Sequence, residues 1–269
     1  MNNYLKLSWI DILLTILLFF LAGNFIGYIY QVIASILNVN AFIFNPLSTI
    51  TIYGIVYISY YFIALNPRKE KFRISYSLKG FHLFPVILFL FIGQSLISEY
   101  LTGLIPTEGE FFGKLYQYVT NALVGNMVKH PVTAFISVCV VTPILEEIFF
   151  RGFLLKGMLN NNVKPVKAIV ISALIFGGIH LFPWQVIGGV LSGLVLGLTF
   201  YKTGSLLSCT LLHCFNNCMA FLLFVKYKNM ETPELGFNKI FLLPIGIVIF
   251  LIFGCLYLKY TKNNTWKFY

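Results

Sequence analysis

The sequence predicts an all-α fold, a polytopic membrane helix bundle of about eight transmembrane helices, and three observations predict it. Hydrophobic residues fill 58% of the 269 positions and charged residues 10%, with a mean hydropathy of +0.84. A soluble domain carries about 25% charged residues. Apolar runs recur along the whole chain, several of them near the ~20 residues that a helix needs to cross a hydrocarbon core. The basic residues lie between those runs, where orientation signals and anionic headgroups act. The net charge of +10 therefore points to a lipid bilayer and not to nucleic acid.

Taken in order, the spans fall at about 9–37, 41–65, 81–104, 132–156, 167–182, 184–201, 205–225 and 240–260. The first is too long for a signal-peptide core and has no A-x-A cleavage site, so it reads as an anchor. Spans five and six are short, and Pro183 between them predicts a tight hairpin. The connection 105–131 contains FFGKLYQYVTNALVG, in which Phe112, Leu115, Val119 and Ala122 recur at helical spacing. That suits either a helix in the interface plane or a partly buried loop helix. In span six, Gly189, Gly193 and Gly197 put small residues on one face, which allows close helix packing. No tandem repeat or low-complexity segment interrupts the chain, which reads as one integral membrane domain over 1–269.

Charge sets the orientation. With a cytoplasmic N-terminus, the inside segments hold Lys6, Arg68, Lys69, Lys71, Arg73, Lys79, Lys156, Lys164, Lys167, Lys202, Lys259, Lys262 and Lys267. The outside segments hold Lys114, Lys129, Lys226, Lys228 and Lys239, and Arg151 lies within a span. The excess of Lys and Arg on one side predicts that both termini are cytoplasmic, in a multi-pass protein of the cell membrane. Richness in Ile, Asn, Lys and Phe suits an AT-rich bacterial source. The five cysteines, Cys139, Cys209, Cys214, Cys218 and Cys255, fall inside apolar runs with no metal-ribbon spacing, so they read as packing residues.

Against this background a few polar residues stand where the bilayer opposes them. Glu146, Glu147 and Arg151 lie in VCVVTPILEEIFFRGFLL, and a charged residue at a helix centre costs roughly 2.5–3.5 kcal/mol. Glu147 and Arg151 are four apart and share a helix face, so each offsets the other. Glu146 points about 100° away, so it does not share Arg151 equally and is a candidate for acid–base work. His180 closes the run Phe176-Gly177-Gly178-Ile179-His180. His213 and Asn217, again four apart, offer an imidazole N–H and a carboxamide NH₂ to a developing oxyanion. Each motif alone also fits a structural role, an ion pair or hydrogen bond locking helices together. His82 and His130, beside span ends, need no functional account. Jointly, three spans supply a carboxylate base, a second base and oxyanion donors, enough to hydrolyse an amide without a covalent nucleophile. The rival reading is a transporter or a bacteriocin-immunity or scaffold protein, although no inverted repeat is visible.

These motifs resemble those of the CAAX prenyl endopeptidase and bacteriocin-processing-enhancer (CPBP, Abi) family of intramembrane proteases. EExxxR is Glu146 to Arg151, FxxxH is Phe176 to His180, and HxxxN is His213 to Asn217, within about 132–221. The resemblance implies an eight-helix endopeptidase with its site opening toward the cytoplasm. It implies that Glu146 and His180 activate water, that His213 and Asn217 stabilise the tetrahedral intermediate, and that Glu147 and Arg151 support them. The implied partner is a membrane-associated peptide or protein, with bacteriocin or signalling-peptide precursors as the natural class for a bacterial member. No cofactor is expected. A zinc ion, if used, would fall to Glu146, His180 and His213, but HExxH is absent.

Overall fold

Helices carry almost all of the residues described in this computed structural model, which are 4–74, 76–78, 80–228 and 239–262. In chain order they are α1 (Trp9–Leu37), α2 (Ala41–Arg68), α3 (Phe81–Thr102), α4 (Phe112–Lys129), α5 (Pro131–Asn160), α6 (Pro165–Gly178), α7 (Pro183–Thr203), α8 (Leu206–Tyr227) and α9 (Lys239–Tyr260). All except α4 and α6 are long and apolar enough to cross a membrane. The chain is a multi-pass membrane protein with an all-α architecture. Among the described residues no strand forms beyond one bridge between Tyr4 and Lys71.

The helix ends follow local chemistry. Ser8 caps α1 by accepting from the Asp11 N–H, and the Asp11 carboxylate accepts in return from the Ser8 N–H. The fifth expected span, 167–182, becomes a helix of only 14 residues, about 21 Å long. Leu181 then turns through a left-handed φ of 62°, Phe182 is extended, and Pro183 opens α7, giving the hairpin that the proline implied. Within α5, Pro143 has no N–H, and its ring crowds the carbonyl one turn earlier. The preceding residues, Phe135–Val141, relax into a π-helical stretch, and a second one runs over Ile148–Leu155.

Helix α5 is central, packing against α2, α6 and α8, while α7 contacts α3, α6 and α8 and α9 covers α3. Glycine governs the closest of these approaches. A Cβ on Gly189 would lie 2.8 Å from Gly177 Cα, one on Gly193 2.9 Å from Ala173 Cα, and one on Gly197 3.1 Å from Ile169. The small-residue face of α7 therefore packs on α6. Gly93 and Gly246 do the same between α3 and α9.

The two ends of the bundle differ. At one, polar side chains tie segments together: Asn160 and Asn161 donate to the Leu5 and Leu7 carbonyls at 2.8 and 2.9 Å. Lys156 donates to Arg73 O, Ser205 to Ser77 O and Lys202 to Thr261 O. Buried Asp11 accepts both arms of Arg68 at 2.7 and 2.9 Å. At the other end α4 lies beside α8, burying Val119 and Val124 while Ala122 is exposed, so only part of its expected apolar face is covered.

Candidate active site

The six polar residues singled out in the sequence sit on α5, at the α6–α7 turn and on α8, and the fold brings them together. Glu147 and Arg151 are fully buried at 0% exposure. The Arg151 Nη1–H donates to Glu147 Oε1 at 2.7 Å, the expected one-turn pair. The guanidinium also reaches Gly193 O at 3.4 Å and lies 4.6 Å from the Phe176 ring centroid. Close packing of α6 on α7 is thus what offers Arg151 both a carbonyl and a ring face.

Glu147 has a second partner that helical spacing does not reveal. His213 Nδ1 lies 2.9 Å from the same Oε1. A carboxylate accepts, so Nδ1 carries the hydrogen and Nε2 is the working nitrogen. That nitrogen lies 3.5 Å from Glu146 Oε2. His213 therefore spans the two carboxylates, with Glu147 fixing the ring and Glu146 facing its other edge.

His180 is oriented separately. Its Nδ1 lies 2.9 Å from Phe176 O, and a carbonyl can only accept. The hydrogen is on Nδ1, and in the neutral ring Nε2 is left with its lone pair. Asn217 donates Nδ2–H to Val138 O at 2.9 Å, a carbonyl in the first π-helical stretch of α5. One of its two amide hydrogens is therefore spent on a helix contact and one remains.

Phe176 organises the group. Its ring stands edge-on to His180 and to His213, each at 5.5 Å between centroids, and to Phe150 at 4.9 Å. Its carbonyl orients one histidine, its edge contacts hold both, and its face meets Arg151. The sequence marked Phe176 as the start of a motif without indicating this role.

Glu146, His180, His213 and Asn217 line a partly open cavity of about 650 Å³, whereas Glu147 and Arg151 lie behind its wall. The opposite wall comes from α3, through Gln94, Ser95, Ser98, Glu99 and Thr102. Two buried polar atoms among its lining residues have no hydrogen-bond partner among the described residues: Gln94 Oε1, an acceptor, and Trp184 Nε1, a donor. Sequence reasoning missed both. The available signal was the run of polar residues at one-turn spacing from Gln94 to Thr102 inside an otherwise apolar span.

The zinc alternative fits this arrangement poorly. Among the described residues no three His, Cys, Asp or Glu side chains are grouped to hold a metal ion. His213 Nδ1 and Glu147 are engaged with one another, and the Arg151 cation sits directly behind them. The five cysteines are free thiols and none lines the cavity.

Residues 128–219 match the protein-family model described as Type II CAAX prenyl endopeptidase Rce1-like. The matched segment runs from the end of α4 to the middle of α8 and contains all three motifs, so at the level of the family it is similar to intramembrane CAAX-type proteases, in keeping with a membrane-associated substrate. No curated protein and no solved structure matches the chain.

Proposed function

We propose that this chain, whose central segment matches a CAAX prenyl endopeptidase family, is an intramembrane endopeptidase that hydrolyses a peptide bond with carboxylate-activated water. The observation that carries the reading is the arrangement of Glu146, His180, His213 and Asn217 around one cavity, with Glu147 and Arg151 sealed behind it. Water is held between the Glu146 carboxylate and His180 Nε2. As its oxygen attacks the scissile carbonyl, its proton passes to Glu146. The oxyanion accepts from the second amide hydrogen of Asn217 and from His213 Nε2–H, a donor that requires the ring to be doubly protonated because Glu147 already holds its Nδ1–H. Both donors are aimed at charge that exists only in the transition state. Collapse breaks the C–N bond, and Glu146 returns the proton to the departing amine. No step in this scheme calls for a metal.

Gln94 Oε1 and Trp184 Nε1 favour a peptide as ligand, because one accepts and the other donates, as the N–H and C=O of a backbone require. The reading is tested by assaying detergent-purified native and Glu146→Gln protein on membrane-peptide libraries by mass spectrometry. Glu146→Gln is expected to lose about 10²–10⁴-fold in turnover. Native-level cleavage by Glu146→Gln would overturn it. The network of Glu147, Arg151 and His213 also suits a purely structural lock between α5 and α8. That second reading predicts no Glu146-dependent cleavage by either protein.

A further inference from the structure

We infer that the cavity takes its peptide from the non-cytoplasmic side of the membrane, so that the substrate is a peptide segment presented at the outer leaflet. The inference rests on the protease reading of the site and runs against the cytoplasmic opening implied by family resemblance.

The first part of the argument is which end of the bundle the cavity occupies. Its α3 wall begins at Gln94 and reaches Thr102, the last residue of that helix. Its α7 wall starts at Trp184, the second residue of that helix, and Phe224 contributes from the last turn of α8. Met127, near the end of α4, completes the rim. Helices α3 and α8 end, and α7 begins, at one and the same end. The cavity therefore runs from Glu146, at the middle of α5, toward that end.

The second part is which side that end faces. Eleven described Lys and Arg residues sit in or beside the connections at the opposite end, whereas five sit at the cavity end. Lys79 and Lys267, which the sequence also assigns to the basic side, lie outside the described residues. The basic end belongs to the cytoplasm, so the cavity faces away from it. Segments at the basic end are tied across by the Asn160, Asn161, Lys156 and Ser205 hydrogen bonds, and the separate pocket of about 650 Å³ there, bordered by Tyr57, Tyr61, Lys71, Arg73 and Phe153, includes none of Glu146, His180, His213 and Asn217.

The test is cysteine accessibility in sealed cells expressing the full chain, with the five native cysteines replaced by alanine. Single reporters are Glu108→Cys at the cavity end, Ser95→Cys in the cavity wall and Lys164→Cys at the basic end. A membrane-impermeant maleimide is expected to label Glu108→Cys and Ser95→Cys equally before and after permeabilisation, and Lys164→Cys only after it. Labelling of Lys164→Cys alone in sealed cells would overturn the inference. Failure to label Ser95→Cys from either side would overturn it as well, because the cavity would then not be open at that end. Should the cysteine-free chain misfold, an epitope tag between Glu108 and Gly109 of the native-cysteine chain replaces it. Antibody binding in sealed cells supports the inference, and binding only after permeabilisation overturns it. Cleavage by detergent-purified protein, in which both faces are open, is read separately, so the protease reading can stand or fall without moving the labelling result.

Discussion

The two faces of α5 carry neighbouring carboxylates into opposite surroundings. On one, Glu147 is fully buried against Arg151, His213 and the aromatic cluster around Phe176. On the other, Glu146 borders an open cavity and lies 3.5 Å from His213 Nε2. A step of about 100° along the helix separates a charge whose partners hold the structure from one whose surroundings leave it able to react. The difference teaches that adjacent acidic residues need not share a task. Burial and partner number assign the roles, and identical side-chain chemistry does not.

The largest effect expected from breaking this contrast is on turnover. Glu146→Gln should lose about 10²–10⁴-fold in peptide cleavage while its thermal midpoint stays near native, because the amide keeps the shape and removes only the negative charge. A large fall in midpoint would mean that the cavity face is as structural as the sealed one. Next comes Arg151→Ala, which should lower stability by about 3–5 kcal/mol, since Glu147 and the His213 ring would keep a buried charge without its counter-ion. Detergent-extracted yield and melting temperature report it, and native values for both would show that Glu147 reaches water.

Gln94→Leu sharpens the comparison from the far wall. Removing a buried, unpartnered acceptor should leave stability unchanged or slightly raised. Loss of one substrate hydrogen bond, typically 0.5–1.5 kcal/mol, should lower kcat/KM roughly 2- to 13-fold. Parallel loss of stability and activity would instead make Gln94 a packing residue. The smallest effect is expected from metal depletion. Protein dialysed against chelator should keep its cleavage rate, with less than one metal per chain by elemental analysis. Activity lost and then restored by stoichiometric zinc would make His180 and His213 ligands.

Much of this arrangement was legible in the sequence. Helical spacing alone paired Glu147 with Arg151, aimed Glu146 elsewhere, and put the glycines of α7 on one contact face. Pro183 announced the hairpin. What was not legible depends on distant packing. The His213–Glu147 contact joins residues 66 positions apart, and the contacts of Phe176 with Phe150, Arg151 and His213 need α5 and α8 in place. The expected partnership of His213 and Asn217 is only partly realised, because a π-helical carbonyl at Val138 takes one amide hydrogen from Asn217. Pro143, four residues after Cys139 inside an apolar span, was the available sign that α5 would leave carbonyls seeking donors. Asp11 offered a similar sign near the start of α1, where Ser8 three residues earlier marks a capping box and Arg68 supplies a charge partner.

The one-turn pair between Glu147 and Arg151 has a consequence for how the chain is made. Translation adds roughly 5–20 residues per second, so His213 follows Glu147 out of the ribosome by roughly 3–13 s. Throughout that interval α5 must enter and occupy the bilayer without α8. An ion pair contained within a single helix is complete as soon as that helix forms. Arg151 therefore gives Glu147 a counter-charge within α5 itself, before α8 can bring His213 to it.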